Sequence, residues 1–293
     1  MGGLIRRVVR WVTTTFAVLI ERLITVGLIQ SGVVLAAQTF LALLPLLIVA
    51  IALFPAPVAD AITETLRNRL GLSGESTELV GTIVKNRDSL RGGISVFGAV
   101  VALASATSFT RALQRIYELA WNLPRLGLRG SLRGLVWLTG IIIYLTVISF
   151  AVKLAGSGGV GPILRPTLLC IGAILLWWWT PYVLLLGRVR LRALAPSGVL
   201  TGVVMAILGW TSTVVLPRTV RNNERQFGTI GAIFAIESWL VIVSVCIVAA
   251  AVVGAVAAQL DGPIGRLARG RDDLEGWRRV RPTGSDAAGP ARR

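Results

Sequence analysis

The 293-residue chain has no histidine, two cysteines, two lysines and only 14 acidic residues. Without histidine there are no imidazole-based metal sites, no Ser-His-Asp triad and no imidazole acid–base catalysis. Cys170 and Cys246 both fall in apolar stretches and cannot form an extracellular disulfide framework, so they read as small core residues. A Walker motif and an HExxH pair are also lacking, which argues against an ATP-driven pump or a zinc peptidase on this chain. The Gly-rich AGSGGVGP at 155–162 lacks the Lys-Ser/Thr ending of a phosphate loop. Charge is scarce over long distances. Residues 23–59, 92–110, 134–152, 166–187, 193–217 and 226–260 together hold one ionisable acid or base, Glu237.

The shortest of these stretches would rise roughly 28 Å as a helix, close to the bilayer hydrocarbon thickness. A water-soluble helix needs a polar face, and these have none. Mean hydropathy is +0.75, with 54% hydrophobic residues. The predicted fold class is all-α. It is a polytopic membrane protein of six transmembrane helices, with an N-terminal interfacial amphipathic helix and short amphipathic helices in the first outside loop. Three regions follow: an amphipathic helix over 1–24, a six-helix membrane domain over 25–260 and a disordered tail over 261–293. The N-terminal apolar stretch is too long for a cleavable signal.

The formal charge is +16 and the pI about 11.6. Nucleic acid is the usual first reading of such a charge, and a GC-rich coding bias is an alternative source of arginine. The distribution favours membrane topology instead. The N-terminus, 111–133, 188–192 and the C-terminal tail hold 20 Lys/Arg, against 10 in 55–91, 153–165 and 217–225. By the positive-inside bias, both termini are cytoplasmic in a multi-pass plasma (inner) membrane protein. The expected partners are anionic membrane lipids and no nucleic acid, and a homo-oligomer is compatible.

Residues 4–24 place Leu4, Val8, Trp11, Val12, Leu19 and Leu23 near one helical face. This predicts a basic interfacial helix, the alternative being an extension of the first span. The first span carries Pro45, a predicted kink. Between 58 and 91, apolar residues recur at i+4 around a break at 71–76, which predicts two short amphipathic helices. The second span is rich in Ala, Ser, Thr and Gly and reads as a central, closely packed helix. In the fourth, Trp177, Trp178 and Trp179 precede Pro181, a second predicted kink; interfacial anchoring and packing around that kink are both open readings. The fifth span carries Gly198, Gly202 and Gly209. The sixth, 228–258, exceeds a bilayer crossing and must tilt, kink or project.

Three motifs together resemble the YihY/virulence factor BrkB family of inner-membrane proteins. In LAAQTFLALLP at 35–45, Thr39, Leu43 and Pro45 match, while Ala37 and Gln38 replace the usual tyrosines. ALQRIYEL at 112–119 is similar to the family's Ala-Leu-Asn-Arg-Ile-Tyr, with Gln114 for Asn. FGTIGAIFAIESWLVI at 227–242 resembles its aromatic-Gly-x-x-Gly entry to the last helix, with Glu237 where an apolar residue is commoner. RALAPSGVLTG at 192–202 adds to the match. The resemblance implies a six-span inner-membrane protein of ill-defined molecular activity. Members were once labelled ribonuclease, a reading this sequence gives no catalytic residues for, and the BrkB name implies resistance to host killing.

The candidate substrate or coupling residues are Glu237, Gln38, Thr39, Arg111, Gln114, Arg115 and Tyr117, with no catalytic residue, metal or cofactor. Arg111 and Arg115 are one helical turn apart. They are either simple markers of a cytoplasmic helix end or a paired cation site for a lipid phosphate or a neighbouring acid. Glu237 lies about ten residues into the sixth span and must be protonated, paired or facing water. Arg225, Gln38, Thr39, Ser105, Thr107 and Ser108 are its potential partners. It reads either as an interhelical hydrogen bond or as a proton- or cation-coupling site. The favoured function is a transporter or flippase for a lipid or other amphiphile. The alternative is a non-transporting envelope-integrity or scaffold protein, and an enzyme is not expected.

Overall fold

A computed structural model describes residues 15–53, 96–125, 129–155 and 161–259. Among these the chain is helical, with no strand. The elements are α1 (Thr15–Val26), α2 (Leu28–Leu53), α3 (Val96–Ala120), α4 (Arg129–Leu154), α5 (Gly161–Leu184) and α6 (Leu191–Gln259). The amphipathic helices expected between 58 and 91, the first 14 residues of the expected interfacial helix and the expected disordered tail lie outside the described residues.

Two described helices are long and apolar enough to cross a membrane, or three if α1 and the first part of α2 are taken as one bent span. That pair bends by 44° at Gly27, whose φ of +64° only glycine adopts cheaply. Pro45 sits inside α2. Pro181 is likewise inside α5. Large apolar side chains are exposed on every described helix: Phe16, Leu41, Leu103, Phe150, Ile163 and Trp210 are examples. A surface this apolar belongs in lipid rather than water.

The 69-residue α6 is two antiparallel arms. Gly228, with φ 64° and ψ −152°, is its one non-helical residue. Across the fold-back, Leu216 and Val220 of the first arm pack with Ala232 and Ala235 of the second. Further along, the Ser197 hydroxyl donates to the Ala251 carbonyl at 3.4 Å, and Gly254 lies directly against the Ser197 backbone. The stretch 217–225, expected as a connection, is therefore helical and runs through Pro217. Its polar residues mark where the first arm leaves the apolar zone, and the helix continues beyond it. At ~1.5 Å per residue, the 191–227 arm rises roughly 55 Å, well over a bilayer crossing.

Close packing follows the small residues. Gly198 and Gly202, spaced as GxxxG, let the backbone of α5 approach at Trp178 and Ile174; a Cβ on Gly202 would stand 2.5 Å from the Ile174 Cα. Gly32 of α2 likewise admits Val245 of the second α6 arm. The tryptophans of α5 turn out to be packing elements. Trp179 fills the space over Gly140 of α4, and the Trp178 indole N–H donates to the Leu191 carbonyl at 2.7 Å. Trp137 of α4 donates to the Thr180 hydroxyl at 3.1 Å, and its ring meets Phe109 with centroids 5.8 Å apart. The larger buried core gathers at the end of the bundle where α3 and α5 finish and α6 begins, around Leu113, Tyr117, Leu184, Leu194 and Val252.

Candidate functional site

On α3, Gln114, Tyr117, Glu118 and Trp121 recur at i, i+3, i+4 and i+7, one helical face. All four are buried. Gln114 Nε2 donates to Glu118 Oε1 at 2.9 Å. Arg188, in the connection between α5 and α6, donates to the same oxygen through Nη2 at 3.3 Å. Its Nη1 donates to the Pro124 carbonyl at 2.8 Å and its Nε to the Leu185 carbonyl at 3.2 Å. One guanidinium thus joins the side chain of α3, the segment after α3 and the end of α5. Arg115 Nη1 stands 3.8 Å from Glu118 Oε2. The Glu118 side chain is 4% exposed, Arg188 24% and Arg115 36%, so the acid lies inside and the bases face outward. A buried carboxylate is tolerable only with such partners.

Behind this group Tyr117 is fully buried. Its hydroxyl adjoins that of Thr201, but without the geometry of a closed hydrogen bond. Thr201 directs its own proton to the Ser197 carbonyl at 2.8 Å, so it could serve Tyr117 only as an acceptor. The Trp121 indole N–H is also buried without a partner. Arg111 is exposed on the outer side of the same helix end.

Both helix ends at this site close in the same way. The Asn122 N–H reaches the Leu119 carbonyl and the Leu123 N–H the Glu118 carbonyl; Leu186 and Gly187 repeat this with Val183 and Tyr182. These are Schellman caps, whose turning residue is left-handed and usually glycine. Here it is Asn122 at φ +54° and Leu186 at φ +60°. Asparagine tolerates that region; leucine is strained there.

A second polar place lies within the apolar body. The Ser108 hydroxyl of α3 donates to Gln38 Oε1 of α2 at 2.5 Å. Thr39 and Thr107 turn their hydroxyls onto carbonyls of their own helices. Glu237 is half-buried, and its Oε2 is buried without any hydrogen-bond partner. With Gly32 against Val245 in an antiparallel pair, equal helical rise brings residues 38–40 of α2 level with 237–239. Gln38 and Glu237 therefore share a depth, yet the Gln38 carbonyl oxygen is engaged by Ser108. Neither Arg225 nor any of the other expected partners hydrogen-bonds Glu237 Oε2. Among the described residues, no three His, Cys, Asp or Glu side chains cluster as a metal site requires.

The positions that sequence reasoning missed are Glu118 and Arg188. Glu118 sits inside the ALQRIYEL motif, and its spacing from Gln114 and Arg115 is the signal that could have found it. Arg188, 70 residues away, offers none.

The motifs that build both places fall inside one matched segment. The family described as Virulence factor BrkB matches residues 19–270. This chain is a member of the BrkB family. No curated protein and no solved structure matches it. The BrkB segment takes in α2 to α6 and the last two thirds of α1, and so includes the Glu118 cluster and Glu237 alike.

Proposed function

We propose that this BrkB-family membrane protein is a plasma-membrane transporter or flippase for a lipid or amphiphilic envelope substrate. It crosses the inner membrane six times, with both termini in the cytoplasm. The two α6 arms count as two crossings, and α2, α3, α4 and α5 as one each. Anionic lipids are its membrane partners and nucleic acid is not. It is not an enzyme and carries no cofactor, and a homo-oligomer is compatible with its exposed apolar faces.

The observation that carries this reading is Glu237. An orphaned carboxylate oxygen in an apolar helix costs folding free energy. Such groups mark ion or substrate paths in membrane proteins. Gln38 at the same depth supplies a second polar group beside that path. The alternative is a non-transporting protein that supports envelope integrity, and the densely paired Glu118 end favours that rigid-body view. Purified protein in liposomes separates the two. Transporter vesicles move a labelled phospholipid between leaflets, and Glu237→Gln, which cannot ionise, changes the pH dependence of that movement. Inert parent vesicles across several lipid headgroups would leave the envelope-integrity role.

A further inference from the structure

We propose that Arg188 is a latch that closes the end of the bundle formed by the ends of α3 and α5 and the start of α6. It deepens the transport reading by supplying the barrier at one end of the path, but it is tested without any flux measurement.

Four observations point the same way. First, Arg188 is the shared partner of three segments: the Glu118 carboxylate, the Pro124 carbonyl and the Leu185 carbonyl. Losing one side chain therefore unties all three. Second, the tie is asymmetric. Its acid is buried and its base is partly in solvent, so the pair can separate outward without Arg188 entering an apolar region. Third, the two turns it joins hold the left-handed non-glycine residues Asn122 and Leu186. Strain of this kind persists only where surrounding contacts impose it. Arg188 adds to the apolar packing of this end a polar tie between the Leu186 turn and Pro124. Fourth, behind the pair lie two buried polar groups a simple structural plug would not need, the unpartnered Tyr117 hydroxyl and the unpartnered Trp121 N–H, beside a Thr201 hydroxyl already bonded to the Ser197 carbonyl. Tyr117 and Trp121 become satisfied when water or a polar headgroup enters, so the open state gains hydrogen bonds that the closed one lacks. A closed state held by the Arg188 ties and an open state favoured by two unpartnered polar groups make a bistable element.

The test measures access to Thr201, fully buried behind the pair, in full-length protein held in lipid nanodiscs. Cys170 and Cys246 are replaced by alanine, and either Thr201→Cys or Ala232→Cys is introduced. Ala232 is also buried but lies beside the Gly228 fold-back at the other end. A water-soluble maleimide labels both sites slowly while Arg188 is present. Arg188→Gln is expected to speed labelling of Thr201→Cys at least tenfold and to leave Ala232→Cys unchanged. Arg188→Lys, which keeps the charge but loses the fork, falls between. If Arg188→Gln does not fold, the isosteric Glu118→Gln decides with the same expected selectivity. A Thr201→Cys rate within twofold of the parent overturns the latch, and so does an equal rise at both cysteines, which reports general loosening. Transport in liposomes is scored separately, so an inert parent refutes the transport reading and leaves the labelling result intact.

Discussion

Two carboxylates, Glu118 and Glu237, sit in opposite circumstances within the same helical body. Glu118 is more deeply buried, yet Gln114, Arg188 and Arg115 surround it. Glu237 is only half-buried, yet its Oε2 has no hydrogen-bond partner. Around Glu118 the larger core cluster packs tightly; around Glu237 a small one holds the two α6 arms together. An acid supplied with partners is part of the framework. One left without them costs stability, and such a cost is retained where it serves a task. The difference assigns opposite expectations to changes that look alike on paper.

Breaking the paired site has the largest effect. Arg188→Ala takes one partner from the buried Glu118 carboxylate, which keeps Gln114 and Arg115, and also loses the bonds to the Pro124 and Leu185 carbonyls; it is expected to destabilise the fold by about 3–5 kcal/mol. Thermal unfolding in detergent, followed by circular dichroism, reads this directly. A melting temperature equal to the parent's would mean that the guanidinium contributes nothing to the packed end.

Next comes the backbone approach that brings the Arg188 connection into place. Gly202→Val pushes a side chain into the Ile174 backbone, and overpacking of this kind costs roughly 3 kcal/mol. Gly209, with open space around it, accepts alanine without loss. Equal stability of the Gly202→Val and Gly209→Ala proteins would contradict the close helix crossing.

The unpaired acid should respond with the opposite sign. Glu237→Leu removes a buried orphan oxygen and is expected to stabilise the protein by about 2 kcal/mol, within the cost of an intramembrane carboxylate. On the proposed transport function, the same variant is expected to lose lipid movement in liposomes. Destabilisation by Leu, together with parent-like behaviour of Glu237→Gln across pH, would make Glu237 a structural hydrogen-bonding group and end the contrast with Glu118.

The smallest effect concerns the strained cap. Leu186→Gly relieves the left-handed leucine but gives the unfolded chain more freedom, for a net gain of about 0.5–1 kcal/mol. Asn122→Gly gains less, because asparagine already tolerates that conformation. A loss of stability at Leu186 would show that its side chain contributes more by packing than its backbone costs.

The apolar stretches were legible because lipid compatibility is a local property. A run without charge, long enough to span a bilayer, needs no knowledge of its neighbours. The gap in charge also singled out Glu237. Charge was a poorer guide to helix ends. The arginines and asparagines of 217–225 suggested a loop, but a helix can leave the apolar zone and continue, and the chain turns only at Gly228. The tryptophans of α5 were ambiguous for a related reason. Whether an indole anchors at an interface or fills a gap depends on what faces it, here Gly140 and the Leu191 carbonyl.

The amino-acid order by itself determined that this chain is helical, apolar and suited to a membrane, and that it carries one acid deep in its last apolar stretch. Each of these follows from residues close together in sequence. Only the tertiary structure decided which acid has partners. Glu118 meets Arg188 across 70 residues, and Glu237 misses Gln38 although the two lie at one depth. A hydrogen bond requires placement to within a few tenths of an ångström. Helical periodicity can give the face and the depth of a side chain, but helix packing fixes that last distance.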